Sequence, residues 1–206
     1  MEFQDLLRRR RMVREFKPDS IPRELLLQVL EVARHAPSAG FSQGFDFVVL
    51  DRPDEVSRFI ALTQDPQFPY EHLGTPDAPP CLVIAISNRP AYLARYSQPD
   101  KERFGLQSAD AWPVPYWDVD TGMAVMLVLL AAVEAGLGAW LFGLTWGEQE
   151  LMRELHVPEG CRPIGVVGLG YPATGAAFDG ARFRSKRRPL ESMVHFGRWQ
   201  DGPSQP

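Results

Sequence analysis

Five arginines crowd one short stretch near the start of the chain: Arg8, Arg9, Arg10 and Arg11 in succession, then Arg14. Like charges this dense repel one another unless solvent or an anion neutralises them. A solvated helix face would do so. A phosphate would too, since its oxygens match the planar guanidinium fork two at a time. If the chain is extended beyond Arg10, alternation sends Arg10, Met12 and Arg14 to one side and Arg11 and Val13 to the other. A second basic run, Lys186-Arg187-Arg188-Pro189, stands near the far end. Alone it reads as a solvated tail. Paired with the first, it suggests two arginine clusters converging on one anion.

A different chemistry is written in Ala36-Pro37-Ser38-Ala39-Gly40-Phe41-Ser42-Gln43-Gly44, small and hydroxylated residues just ahead of a strand. This is either an ordinary helix-to-strand connection or a loop that hydrogen-bonds a planar heterocycle. In the second case its free N–H groups, the Ser38 hydroxyl and the Gln43 amide would make the bonds. Gly136-Leu137-Gly138 is most simply a helix end, and no Walker or dinucleotide fingerprint is present. His35, His72, His156 and His195 are scattered, as are Cys81 and Cys161, so no metal-ligand spacing and no catalytic triad emerge.

The elements that must position these residues follow from periodicity and breakers. A short helix is expected from Phe3 to about Arg10, followed by extended chain through Phe16. Pro22 suits the first residue of a second helix, whose buried face is Leu25, Leu26, Val29, Leu30 and Ala33, and Pro37 closes it. Strands are expected at Phe47–Leu50, Cys81–Ile86, Ala139–Phe142 and Pro163–Gly170. A helix opened by Asp51 and Pro53 runs to about Leu62, and Gln64 to Pro80 is a loop. Asp118 or Asp120 caps a long helix running to about Ala135. It is apolar on nearly every face between Met123 and Val133, hence buried all round, in the core or at a subunit contact. Thr145 and Glu148 have capping-box spacing for a helix to about His156. The aromatic-rich segment 88–117 is either a substrate wall or lid, or a loop packed on its own side chains.

The 206 residues fit a single domain, with a C-terminal extension from about residue 172. A net charge of −4, without aromatics interleaved among the basic residues, argues against a nucleic-acid reader. Two isolated cysteines, an N-terminus without an apolar leader, and a Met123–Val133 run too short for a bilayer predict a cytoplasmic protein off the membrane.

In combination the motifs resemble the flavin-dependent nitroreductase family. Arg10-Arg11-x-Val13-Arg14-x-Phe16 comes first, then Ala36-Pro37-Ser38-x-Gly40-x-x-Gln43 before a strand. The long apolar helix follows, ending Gly136-Leu137-Gly138, then Gly168-Leu169-Gly170-Tyr171-Pro172, and last Lys186-Arg187-Arg188-Pro189-Leu190. Each is unspecific alone, but five in order span Leu7 to Trp199. The resemblance implies an α+β fold, an α/β sandwich with a mixed central sheet. It implies a homodimer joined through the long helices, its C-terminal extensions packing on the partner, with one FMN in each of two interface sites. Arg10, Arg11 and Arg14, with Met12 among them, would hold the phosphate and ribityl chain. Pro37 and Ser38 would lie near the isoalloxazine with Gln43 close by. Leu141, Phe142 and Gly143 would face the ring through their backbone, and Arg187 would reach the phosphate from the partner subunit.

The implied activity is a ping-pong oxidoreductase taking electrons from NADH or NADPH to a nitroaromatic, quinone or enone, with no catalytic side chain assigned. A dehydrogenase or reductive dehalogenase for one metabolite, or a non-enzymatic flavin carrier or sensor, would share the cofactor residues. The sequence departs from the family pattern at Met12, often serine, and at Phe41, Gly44 and Phe45, where Asn, Pro and Trp are common. Phe41 is similar to the branch containing 5,6-dimethylbenzimidazole synthase. That branch carries an aspartate where Met12 stands, so flavin destruction is not expected.

Overall fold

The computed structural model describes residues 2–67, 69–173 and 186–200. The chain divides into two compact units, Met1–Ala176 and Ala177–Pro206.

The first unit is built on four strands: β1 (Phe45–Leu50), β2 (Cys81–Asn88), β3 (Gly138–Phe142) and β4 (Cys161–Gly170). They lie in the order β1-β2-β4-β3, and every neighbouring pair is antiparallel. The mixed sheet implied by the resemblance is thus reduced to one parallel bridge among the described residues, Met12 to Ala139. Connection geometry is the reason. The helix α3 (Pro53–Thr63) leaves the end of β1, and the long 64–80 segment carries the chain back to start β2 beside it in the opposite sense.

β2 is buried on both faces, which is why its sequence shows no polar alternation. Cys81, Val83 and Ala85 face one core, together with α2 (Arg23–Glu31) and α5 (Tyr116–Glu134). Leu82, Ile84 and Ile86 face the other, shared with α3 and α6 (Glu148–Glu154). The result is helices on both sides of a central sheet. Leu82 and Ile84 are fully buried, each contributing about 1.5–3 kcal/mol. Helix α1 (Phe3–Arg9) packs on α5, and α4 (Arg89–Tyr96) supports the loop after α2.

Two local expectations are corrected and a third is narrowed. Neither Asp118 nor Asp120 caps α5; Pro115 holds that place, and its carbonyl accepts the Val119 N–H at 3.3 Å. Asp118 instead pairs with Arg162 and accepts the Ser87 hydroxyl at 2.8 Å, while Asp120 turns into the interior. Thr145 does not cap α6. Gly147 does, at φ 70°, where a Cβ would sit 1.9 Å from the Leu62 carbonyl oxygen. Finally, α5 is not buried all round within one chain: Val119, Met123 and Met126 are exposed at 43%, 36% and 38%. This 19-residue helix is long and apolar enough to cross a membrane, yet its other faces pack against the sheet.

The 88–115 segment packs on its own side chains. Tyr92 and Tyr96 of α4 bury against Trp112 and Trp117 in an edge-to-face cluster, with Tyr96 and Trp112 centroids 4.7 Å apart. Among the described residues of the second unit, Leu190–Ser192 form one turn, closed by Arg188.

Both cysteines are unpaired. Burial, reinforced by Asp51 and Glu55, pushes the Cys81 thiol up to about 12, which removes the reactive thiolate at neutral pH. Alkylating the native protein is expected to modify the partly exposed Cys161 slowly and to spare Cys81 until denaturant is added. Mass spectrometry should count one adduct before unfolding and two after; two adducts on folded protein would contradict the buried placement.

Candidate functional site

After α1 ends at Arg9, the chain runs extended alongside β3. The Val13 N–H donates to the Ala139 carbonyl at 2.9 Å, and farther on Phe16 bridges Pro172 and donates its N–H to Asp77. Phe16 is buried in the core and anchors the segment. Gly138 permits the close approach, because a Cβ there would lie 2.8 Å from Val13. The expected alternation holds. Arg11 and Val13, with Arg9, line a cavity of about 220 Å³ against Val133, Gly136 and Leu137. Arg14 points elsewhere, its guanidinium 5.8 Å from the centre of the Trp140 ring.

Several arginines elsewhere in the first unit are paired, Arg52 with Glu55, Arg58 with Glu154, Arg95 with Asp100 and Arg162 with Asp118, whereas Arg23, Arg89 and Arg103 stand apart from one another in the sequence without an ion pair among the described residues. Among the described residues, the guanidinium groups of Arg10, Arg11 and Arg14 make no hydrogen bond or ion pair. Guanidinium groups held on an ordered segment without counter-ions fit a phosphate ligand.

The Ser38 loop follows a single turn, Val32–His35, at the end of α2. Gly40, Phe41 and Gln43 all have positive φ, at 61°, 57° and 49°. Two of these are not glycine, and such backbone costs about 1 kcal/mol or more per residue. Several contacts hold it. The Gln43 N–H donates to the Ser38 hydroxyl oxygen at 2.9 Å, and Arg95 Nε donates to the Gly40 carbonyl at 2.9 Å. The Ala39 N–H donates to Asp120 Oδ2 at 2.8 Å. Phe41 stands out at 75% exposure. Behind the loop, burial and then the hydrogen bond to Asp120 push the Tyr92 phenol above its ordinary range, so its hydroxyl stays a donor.

Of the β3 residues expected at a flavin ring, Leu141 packs toward the α5 side and Phe142 toward α3, leaving backbone at the strand end. Nothing lies within 4 Å of a Cβ built on Gly143, so the backbone there is open to a ligand. Its carbonyl accepts the Tyr70 hydroxyl at 2.5 Å, and the Thr145 N–H donates to the same hydroxyl oxygen at 3.3 Å. Trp140 lies beneath, with His72 edge-on at 5.6 Å.

These groups are not all brought together within one chain. The arginine segment meets the C-terminal end of α5 at Val133, whereas the loop carrying Pro37, Ser38 and Gln43 is tied to Asp120 near its N-terminal end. At the helical rise of 1.5 Å per residue, those anchor points lie about 20 Å apart. Arg187 belongs to the second unit, where Arg188 is engaged by Ser192. Arg187 itself has no hydrogen bond or ion pair among the described residues. Sequence reasoning missed Asp120, Tyr92 and Tyr70. Only Asp120 left a signal, as a carboxylate embedded in an apolar helix.

Comparison with known proteins identifies the family. The sequence model of the nitroreductase family matches residues 7–171. A protein of Methanothermobacter thermautotrophicus, whose name couples NADH dehydrogenase with NAD(P)H nitroreductase, is 25% identical over 84% of this chain and 78% of its own. An iodotyrosine deiodinase of Haliscomenobacter hydrossis is 27% identical over 85% of this chain and 81% of its own. In fold, a structure from Exiguobacterium sibiricum solved in complex with FMN superposes with a TM-score of 0.72 at 17% identity, covering 95% of this chain and 97% of its own. With most of its length matched by the family model and its architecture shared, the chain belongs to the nitroreductase family.

Proposed function

We propose that this protein is an FMN-dependent oxidoreductase that takes electrons from NADH or NADPH and delivers them to an electron-poor acceptor. The observation that carries the reading is the ordered arginine segment beside β3, with Arg10, Arg11 and Arg14 lacking counter-ions among the described residues. Arg10 and Arg14 would hold the FMN phosphate, joined by Arg187, whereas Arg11, expected with them, lines the cavity on the Val13 side. The Ser38 loop, Gln43 and the open backbone at Gly143 would meet the ring. Bound there, FMN would supply the redox chemistry, accepting hydride from the nicotinamide and reducing a nitroaromatic, quinone or enone after the first product has left. The chain's own part is to bind, orient and exclude water, and fixed positive charge favours the electron-rich state of whatever it holds.

Assembly as a homodimer is part of the same proposal. The exposed stripe Val119, Met123 and Met126 suits a two-fold contact between α5 helices. Antiparallel crossing would set the N-terminal end of one helix against the C-terminal end of the other. The Ser38 loop of one protomer would then complete the arginine segment of its partner, with the C-terminal extension packing across. The unpaired cysteines suit a cytoplasmic setting.

The deiodinase relative favours a second reading, a reductive dehalogenase acting on one halogenated metabolite. One experiment separates these readings. Purified protein should show a flavin spectrum that NADH or NADPH bleaches anaerobically, and reoxidation is then followed with a quinone, a nitroaromatic and a halophenol. Fast reoxidation by the first two supports the general reductase. Exclusive response to the halophenol supports the specialist, and flavin that neither nicotinamide reduces would overturn the oxidoreductase reading.

A further inference from the structure

One buried carboxylate holds the Ser38 loop from behind. Asp120 is 2% exposed, and a single oxygen, Oδ2, accepts both the Ala39 N–H at 2.8 Å and the Tyr92 hydroxyl at 2.7 Å. A carboxylate inside an otherwise apolar stretch of helix is costly unless such donors reach it. Tyr92 is itself fully buried, wedged edge-on between Trp112 and Trp117, and its ring lies where a Cβ on Gly44 would come within 2.4 Å. Asp120 and Tyr92 thus grip the loop at both ends, Ala39 and Gly44. Between these points the backbone keeps the positive φ values that a free chain would relax, so neighbouring structure must over-determine it.

We propose that Asp120 is a positioning residue of the flavin site: by accepting the Ala39 N–H and the Tyr92 hydroxyl, it fixes the Ser38–Gln43 loop in the conformation that meets the ring. This rests on the function proposed above, which puts that loop at the ring. The oxygen's accepting capacity is what matters, rather than its charge. An amide oxygen has the same two lone pairs, so asparagine can replace the carboxylate and alanine cannot.

Two readouts test it on the full chain. Hydrogen exchange by mass spectrometry, without flavin, follows the 37–44 peptides. Rapid-mixing reduction of FMN-loaded protein by NADH or NADPH follows the site. Asp120→Ala is expected to speed exchange of those peptides, and to slow reduction, by about tenfold each, the scale of a lost hydrogen bond. Asp120→Asn is expected to bring both back to within about threefold of the wild type. Tyr92→Phe keeps the Ala39 bond and should fall between, and it serves if Asp120→Ala fails to fold. Wild-type exchange and reduction in Asp120→Ala or, failing that, in Tyr92→Phe would overturn the proposal. So would an asparagine variant as impaired as alanine, because charge would then be in control. Wild-type protein that takes up no FMN would bring down the functional reading and this inference with it, a failure visible before any variant is made.

Discussion

Arg14→Ala is expected to leave the purified protein largely colourless, with FMN affinity reduced about 10- to 100-fold. A charge-assisted hydrogen bond contributes about 1.5–3 kcal/mol, and each 1.4 kcal/mol is a factor of ten in binding. The phosphate would lose one of a few guanidinium partners. The fold should survive, because among the described residues the Arg14 guanidinium makes no ion pair and meets the Trp140 ring at 5.8 Å, worth about 1 kcal/mol or less at a partly exposed site. Flavin content per chain from visible absorbance, and affinity from fluorescence titration, decide the matter. Arg187→Ala is expected to behave alike. Arg188→Ala should retain more flavin, since that guanidinium is already engaged by Ser192. Full occupancy in both the Arg14 and Arg187 variants would show that the arginines serve something other than the phosphate.

Met126→Glu should have a comparable effect by another route. Met126 closes the exposed stripe near the middle of α5, with Met123 one turn before it. A glutamate there would bury a carboxylate from each protomer in an apolar contact. Desolvation of such charges costs several kcal/mol, so the dimer constant should weaken by about a thousandfold or more. Sedimentation at micromolar concentration is expected to give a dimer for the wild type and a monomer for the variant. Flavin should be lost together with the dimer, because the Ser38 loop and the arginine segment anchor at opposite ends of α5. A monomeric wild type, or a dimeric and fully yellow variant, would refute the two-fold assembly.

How much of this was legible in the sequence depends on whether the signal was local. β2 and β4 stood out as apolar runs because burial on both faces removes any polar alternation. The alternation of Arg11 and Val13 against Arg14 was also readable, since it needs only an extended chain. Strand direction was not: it depends on which end of the sheet the 64–80 segment returns to, and no periodicity records that. Asp120 resembled a cap because it lies within a turn of the helix start, and only the fold shows it turned inward toward Ala39, 81 residues away. Tyr70 was hidden for the same reason. It sits in a proline- and glycine-rich loop, and its partner Gly143 is 73 residues distant.

The pairing of Met12 with Ala139 carries a consequence for how the N-terminal region tolerates change. Faces in an extended chain repeat every second residue, and Phe16 is fixed in the core as a downstream peg, so adding or deleting one residue between Arg14 and Phe16 would exchange the sides that Arg14 and Val13 take. A hydrophobic group would then occupy the side Arg14 now holds, and a cation would be driven against Gly138. A change of two residues there would restore both faces.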